Sequence, residues 1–190
     1  DVAMYSAKEK GVGYQFFEAR MNEASGNRLG LENDLHRALE NDELFLTYHP
    51  KIELATGKMV GAEVLLRWQH PVLGLVSPVQ FIPLAEETGL IIPIGLWVLE
   101  TACRNLALWR KNGLVQIHLA VNVSVKQFQS VNFTNQVQKV IEDTSIDPKL
   151  VELEVTESLL MDTESTSIET MTNLKEMGIN ISIDDFGTGY

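Results

Sequence analysis

Glu63, Asn122 and Glu154 each lie near the C-terminal end of an apolar, strand-like run, and a fourth such run ends in Asp184-Asp185. All are hard oxygen donors, and a barrel or sheet whose strands each deliver one ligand to a common rim builds a cation site in this way. The four histidines, His36, His49, His70 and His118, are scattered and the one cysteine stands alone, so the set favours Mg2+ or Mn2+ over zinc. Such a cage, holding one or two ions, polarises a phosphate ester and brings the pKa of a bound water into the range for attack. Phosphodiester hydrolysis is the reaction this predicts.

Each signal is weak alone. With a strand period of two, Glu63, Leu65 and Arg67 share one face, and Arg67 falls roughly 13 Å along the strand from Glu63. That is too far for a simple ion pair, but it suits a metal at one point and a phosphate at another. Asn122 occupies the last inward-type position of Ile117 to Ser124, where it either ligates a cation or caps the next helix, two roles that local sequence leaves equally open. Glu154 shares a face with Glu152 and Thr156, and a carboxylate within an apolar strand needs a partner or a metal. Glu152, near the strand's start, reads as solvated or ion-paired. Glu157 opens the following loop, placed to accept backbone hydrogen bonds or to cap a helix. After Asp184 and Asp185, Gly187 and Gly189 let the backbone turn tightly beside an ion or phosphate. Four such signals on successive strands are far more specific than any one of them.

The elements that must position these residues alternate. Leu44 to Leu54 and Met59 to Trp68 read as strands joined through Ala55-Thr56-Gly57-Lys58 in an antiparallel hairpin. Helices follow over Pro78 to Glu87 and Trp97 to Lys111, the second with Val98, Ala102, Leu106 and Trp109 on one face and Gly113 as its stop. Then come strand Ile117 to Val123, helix Thr134 to Asp143, strand Val151 to Thr156, helix Thr166 to Met177 and strand Ile179 to Ile183. Strand and helix in this order specify an α/β fold with a parallel sheet, and periodicity alone does not separate a barrel with one reversed strand from an open doubly wound sheet. About five strands are counted where a closed barrel has eight, which predicts an incomplete unit with an uncovered sheet edge. Upstream, Val2 and Tyr5 at helical spacing and Tyr14 to Phe17 suggest the tail of another domain. Residues 19–30 read as a partly helical linker, and Leu31, Leu35, Ala38 and Leu39 mark a helix ending near Asn41.

The bulk properties narrow the partners. The chain of 190 residues is 45% hydrophobic and carries a formal charge of −11 without any Lys/Arg run, which argues against a DNA or RNA polymer as ligand. An anionic small molecule would need divalent cations between itself and the carboxylates. Cys103 reads as a small buried thiol, and one cysteine excludes an internal disulfide and fits a reducing compartment. The longest apolar stretch, Leu90 to Leu99, is about half the length of a membrane span. No signal peptide is visible at the polar opening, which begins with Asp1.

The motifs Glu63-Val64-Leu65-Leu66-Arg67, Phe81-Ile82-Pro83-Leu84-Ala85-Glu86, Val121-Asn122-Val123-Ser124, Glu154-Val155-Thr156-Glu157-Ser158 and Asp184-Asp185-Phe186-Gly187-Thr188-Gly189-Tyr190 closely resemble, in order, those of the EAL domain of bacterial cyclic di-GMP phosphodiesterases. The resemblance implies a modified (β/α)8 barrel of the TIM type with one antiparallel strand, here cut after about five strands. It also implies metal-dependent hydrolysis of cyclic di-GMP to linear pGpG in second-messenger signalling, with Mg2+ or Mn2+ as a two-ion centre. By this resemblance Glu63, Asn122, Glu154 and Asp184 match metal ligands, and Asp185 matches the neighbouring acid. Arg67 matches the arginine on the substrate phosphate, and Glu157 the glutamate that steadies the Asp-Asp-Phe-Gly loop. Residues 1–18 resemble the C-terminus of a GGDEF domain, so 19–30 becomes a linker and 31–190 the N-terminal part of the EAL-like domain.

Two departures bear on function. Glu-Val-Leu stands at the eponymous triplet, keeping the ligand and changing a residue on the opposite face. His49, in Tyr48-His49-Pro50, stands where the family commonly has Gln near the substrate; it retains one hydrogen bond but not a two-pronged amide, so altered affinity is expected. The family's later lysine, glutamate and glutamine motifs would lie past Tyr190, so these residues alone are expected to be inactive. The rival expectation is a receptor that binds the nucleotide without cleaving it. A cytoplasmic location, no membrane contact by this segment and a homodimer through the EAL-like domain complete the expectations, the parent protein being open to tethering at the inner membrane by other segments.

Overall fold

A computed structural model describes residues 19–114, 117–157, 159 and 165–184. The expected domain remnant at 1–18 and the residues from Asp185 onward lie outside the described residues. Strands β1 (Leu44–Ile52), β2 (Met59–His70), β3 (Gly74–Val76), β4 (His118–Val123), β5 (Val151–Thr156) and β6 (Asn180–Asp184) form one sheet. Its order is β1-β2-β4-β5-β6, with β3 paired to the end of β2. The β1–β2 and β2–β3 pairs are antiparallel, while β2–β4, β4–β5 and β5–β6 are parallel.

That order settles the question left open by periodicity. Each new parallel strand adds on the same side of the last, and right-handed crossovers then carry every connecting helix to one face. A doubly wound sheet would reverse direction and cover both faces. Here β1 is the reversed strand of a singly wound, barrel-type sheet, and among the described residues that sheet is open, with β1 and β6 at its edges. The short β3 went unforeseen because three residues carry no period, and Gly74, with φ of 72°, supplies the turn before it.

Among the described residues six helices of α type accompany the sheet: α1 (Ala19–Ala38), α2 (Pro78–Thr88), α3 (Ile91–Lys111), α4 (Val125–Phe128), α5 (Phe133–Thr144) and α6 (Ser165–Glu176). Helix α1 begins within the segment expected as a partly helical linker and ends at Ala38, three residues before the expected stop. Residues 19–30 have no apolar stripe in the sequence, so a pattern search finds only the later half of the helix, where Leu35 and Ala38 are buried. Helix α3 starts at Ile91, six residues before the expected Trp97. Pro93 sits in its first turn, where an N–H has no intrahelical acceptor and its loss carries no penalty. By length and composition α3 is the one described helix able to cross a membrane, yet Ile94, Val98, Ala102 and Leu106 along it are buried in the protein core.

The core lies between the helices and the outward face of the strands: Ala62, Val64 and Trp68 of β2, Leu119, Val121 and Val123 of β4, and Val151, Leu153 and Val155 of β5 are all buried. Trp68 packs edge-on against Phe81 with ring centroids 5.6 Å apart, while its indole N–H donates to the Glu43 carboxylate at 2.9 Å. Tyr48 fastens β1 to α3, meeting Trp109 edge-on at 4.6 Å and accepting a 2.6 Å hydrogen bond from the Asn105 amide. His70 ties α1 to the β2–β3 turn. Its Nδ1 accepts the backbone N–H groups of Val72 and Leu73 at 3.1 Å, which leaves Nε2–H to donate to Asp34 at 3.1 Å. That hydrogen bond, followed by the one from Arg37, holds the Asp34 carboxyl below its ordinary pKa. Cys103 is buried as expected, and burial pushes its thiol up to about 12, so it packs as a small apolar group.

Helix α4 follows directly on the Asn122 strand. Ser124 is its N-cap, in a capping box with Gln127, whose side chain is buried against Gly95 of α3. A Cβ on Gly95 would stand 1.8 Å from the Gln127 amide nitrogen. Gly95→Ala therefore has to expel Gln127 from the capping box, and guanidinium unfolding should show a loss of about 1–3 kcal/mol; an unchanged midpoint would mean that Gln127 relocates freely.

Candidate functional site

Backbone register places the predicted ligands on one face. His49 pairs with Glu63 across β1 and β2, and Glu63 pairs with Ala120 of β4, two residues before Asn122. Asn122 pairs with Glu154, Glu154 with Ser182, and Thr156 with Asp184. Paired residues point to the same side of a sheet, as do residues two apart, so His49, Glu63, Arg67, Asn122, Glu154 and Asp184 all project from the face opposite the helices. Glu63, Asn122 and Glu154 stand on three neighbouring strands.

Direct contacts tighten this group. The Asn122 amide donates to Glu63 Oε1 at 3.0 Å, which leaves its carbonyl oxygen out of that contact. Capping, the alternative role for Asn122, belongs to Ser124. Glu154, half-buried as its apolar strand demands, has a partner that sequence reading missed: Lys51 Nζ, 2.7 Å from Glu154 Oε1. Burial alone would lower the Lys51 pKa; the hydrogen bond to Glu154 and the charges of Glu154, Glu152 and Glu63 outweigh it, and the pKa is raised. Strand parity would have revealed this residue, because Lys51 lies two positions beyond His49.

The Lys51–Glu154 contact also reports the shape of the sheet. Lys51 pairs with Gly61 and Gly61 with His118, while Leu119 pairs with Val151, so Glu154 lies three strands away and four residues further on. In a flat sheet that is about 14 Å across and about 13 Å along, roughly 19 Å in all. Extended Lys and Glu side chains span only roughly 10 Å together. The sheet is therefore strongly curled, concave on the ligand face, as a section of barrel wall is.

The remaining predicted residues are distributed around this centre. Arg67, half-buried, donates from Nη1 to the Leu66 carbonyl at 2.9 Å, and Asp184 is exposed at the end of β6. Glu157 is half-buried just after β5. Asp185 lies outside the described residues. Ser182, on the ligand face beside Glu154, was not foreseen; its hydroxyl is buried and has no hydrogen-bond partner among the described residues. Among the described residues no three His, Cys, Asp or Glu side chains form a ready-made cluster. The donors present nevertheless fit a hard divalent cation: two carboxylates and an amide oxygen on adjacent strands, no soft ligand, and a carboxylate that already draws an ammonium group.

The EAL domain family matches residues 32–190. The chain is 47% identical over 191 residues, all of its own length, to a bifunctional diguanylate cyclase/cyclic di-GMP phosphodiesterase, MucR, of Pseudomonas aeruginosa, and 37% identical over 191 residues to the cyclic di-GMP phosphodiesterase PdeR of Escherichia coli. It spans 28% and 29% of those relatives' lengths. A solved structure of the MucR phosphodiesterase in complex with cyclic di-GMP superposes with a TM-score of 0.81 at 46% identity, covering 85% of this chain and 65% of that one. Motifs, singly wound sheet and family match agree: the chain belongs to the EAL domain family.

Proposed function

We propose that the protein carrying this chain hydrolyses cyclic di-GMP to linear pGpG with Mg2+ or Mn2+, as a two-ion enzyme. The observation that carries this reading is the joining of Glu63 to Asn122 beside Glu154 on adjacent strands of a concave sheet. Glu63, Asn122, Glu154 and Asp184 would hold the cations, with Asp185 as the neighbouring acid. A bound divalent ion supplies Lewis acidity toward the phosphate and a water of lowered pKa. The chain's own residues do the rest. Asn122 orients the Glu63 carboxylate, Arg67 offers a guanidinium to a phosphate oxygen, and His49, opposite Glu63 in the register, presents an imidazole beside the substrate. Glu157 steadies the Asp-Asp-Phe-Gly segment. The nucleotide's phosphates would otherwise be repelled by this acidic face, so cation binding and substrate binding belong together.

The same reading assigns residues 1–18 to the end of a GGDEF domain and 19–30 to the connection, supported by a family match that begins at residue 32. Cytoplasmic action is in keeping with the single buried thiol.

The full-length protein with Mg2+ should release pGpG, and Glu63→Ala should cut turnover at least about 100-fold while far-UV circular dichroism stays unchanged. Nucleotide binding without any pGpG, indifferent to Glu63→Ala, would establish a receptor instead. His49→Gln restores the two-pronged amide and should lower KM about two- to tenfold with little change in kcat; an effect confined to kcat would place His49 in the chemical step.

A further inference from the structure

Lys51 belongs to none of the expected ligands, yet its ammonium lies among them, 2.7 Å from Glu154 Oε1. The Glu154 side chain is only 12% exposed and that of Lys51 43%, so the carboxylate is fixed in the wall while the lysine reaches it from the solvent side. Directly opposite Lys51 in the β1–β2 register stands Gly61, where a Cβ would stand 2.8 Å from the His118 carbonyl oxygen, so the neighbouring strand closes in there. A divalent ion on the same carboxylate oxygen would bring two positive charges within about 4 Å of each other, so the ammonium and the ion exclude one another.

We propose that Lys51 is a displaceable counter-cation: a positioning residue that holds the Glu154 carboxylate while the site is metal-free and has to leave it before a divalent ion binds there. The inference rests on the phosphodiesterase reading in one respect, that Glu154 is a metal ligand. Metal affinity is then set by competition with a side chain of the protein itself. Lysine suits the task, because its charge sits on a flexible four-carbon stem that retreats into water with its stem still packed against the wall. Arginine's planar fork would grip the carboxylate with two hydrogen bonds and yield it less readily. Released from Glu154, the ammonium is free on the face that receives an anionic substrate.

The test is a Mn2+ titration of the chelator-treated, full-length protein, following the electron paramagnetic resonance signal of free Mn2+. Lys51→Met should bind Mn2+ about three- to fivefold more tightly than wild type, the factor expected for removal of a partly exposed ion pair. Lys51→Arg should bind no more tightly than wild type, and Lys58→Met, in the hairpin turn, should match it and so exclude a general effect of net charge. Lys51→Gln is read in parallel, so that one poorly folding variant does not decide the outcome. Wild type that binds Mn2+ with Lys51→Met and Lys51→Gln no tighter overturns the role of Lys51 and leaves the phosphodiesterase reading standing. Wild type whose Mn2+ binding is unaffected by Glu154→Gln removes Glu154 from the ligand set and overturns both.

Discussion

Carboxylates gathered on one concave surface repel one another, and the acidic face of this sheet is organised around that repulsion. Glu63, Glu152 and Glu154 all act electrostatically on Lys51, which bridges from the edge strand β1 to β5. An apolar strand cannot hold Glu154 without such a partner, and the partner cannot reach it unless the sheet bends. Charge balance and curvature are thus one requirement. A straight sheet would leave Glu154 unpaired; a curled sheet without the acids would have no reason to keep Lys51 over its interior.

The opposite face supplies the rigidity. Large apolar side chains from β2, β4 and β5 are buried beneath α2, α3 and α5, and Trp68, Phe81 and Phe128 are wholly enclosed. Because side chains alternate, every buried residue there fixes the position of a neighbour on the ligand face: Leu119, Val121 and Val123 hold Asn122, and Leu153 with Val155 hold Glu154. Polar ties at the periphery complete the frame. His70 joins α1 to the β2–β3 turn through its two ring nitrogens, and Tyr48 joins β1 to α3. The candidate site is therefore held from behind, without its acids belonging to the core.

Sequence reading recovered what periodicity encodes. Strand β5 was bounded without error, and the facing of Glu63, Asn122 and Glu154 followed from a period of two. It failed where local pattern carries no information. Three residues of β3 and four of α4 are too short to show a period, and the start of α1 has no apolar stripe to reveal it. The first turns of α3, from Ile91, were left out of the helix expected from Trp97. Strand parity puts Lys51 on the right face, but its pairing was not legible: the partner lies 103 residues away, and only the curl of the sheet brings the two together. The choice between cap and ligand at Asn122 was likewise undecidable until Ser124 was seen to close its own box with Gln127.

The fit between Gly95 and Gln127 has a consequence for how this domain changes over generations. The missing side chain of one residue is filled by the amide of the other, and that amide completes the cap of the helix immediately after the Asn122 strand. The two positions, 32 residues apart in the sequence of 190, form a single heritable unit. A lineage that places a side chain at 95 can keep its Asn122 strand in place only by changing 127 as well, so in a set of related chains the two columns should drift together, although neither residue stands among the candidate ligands.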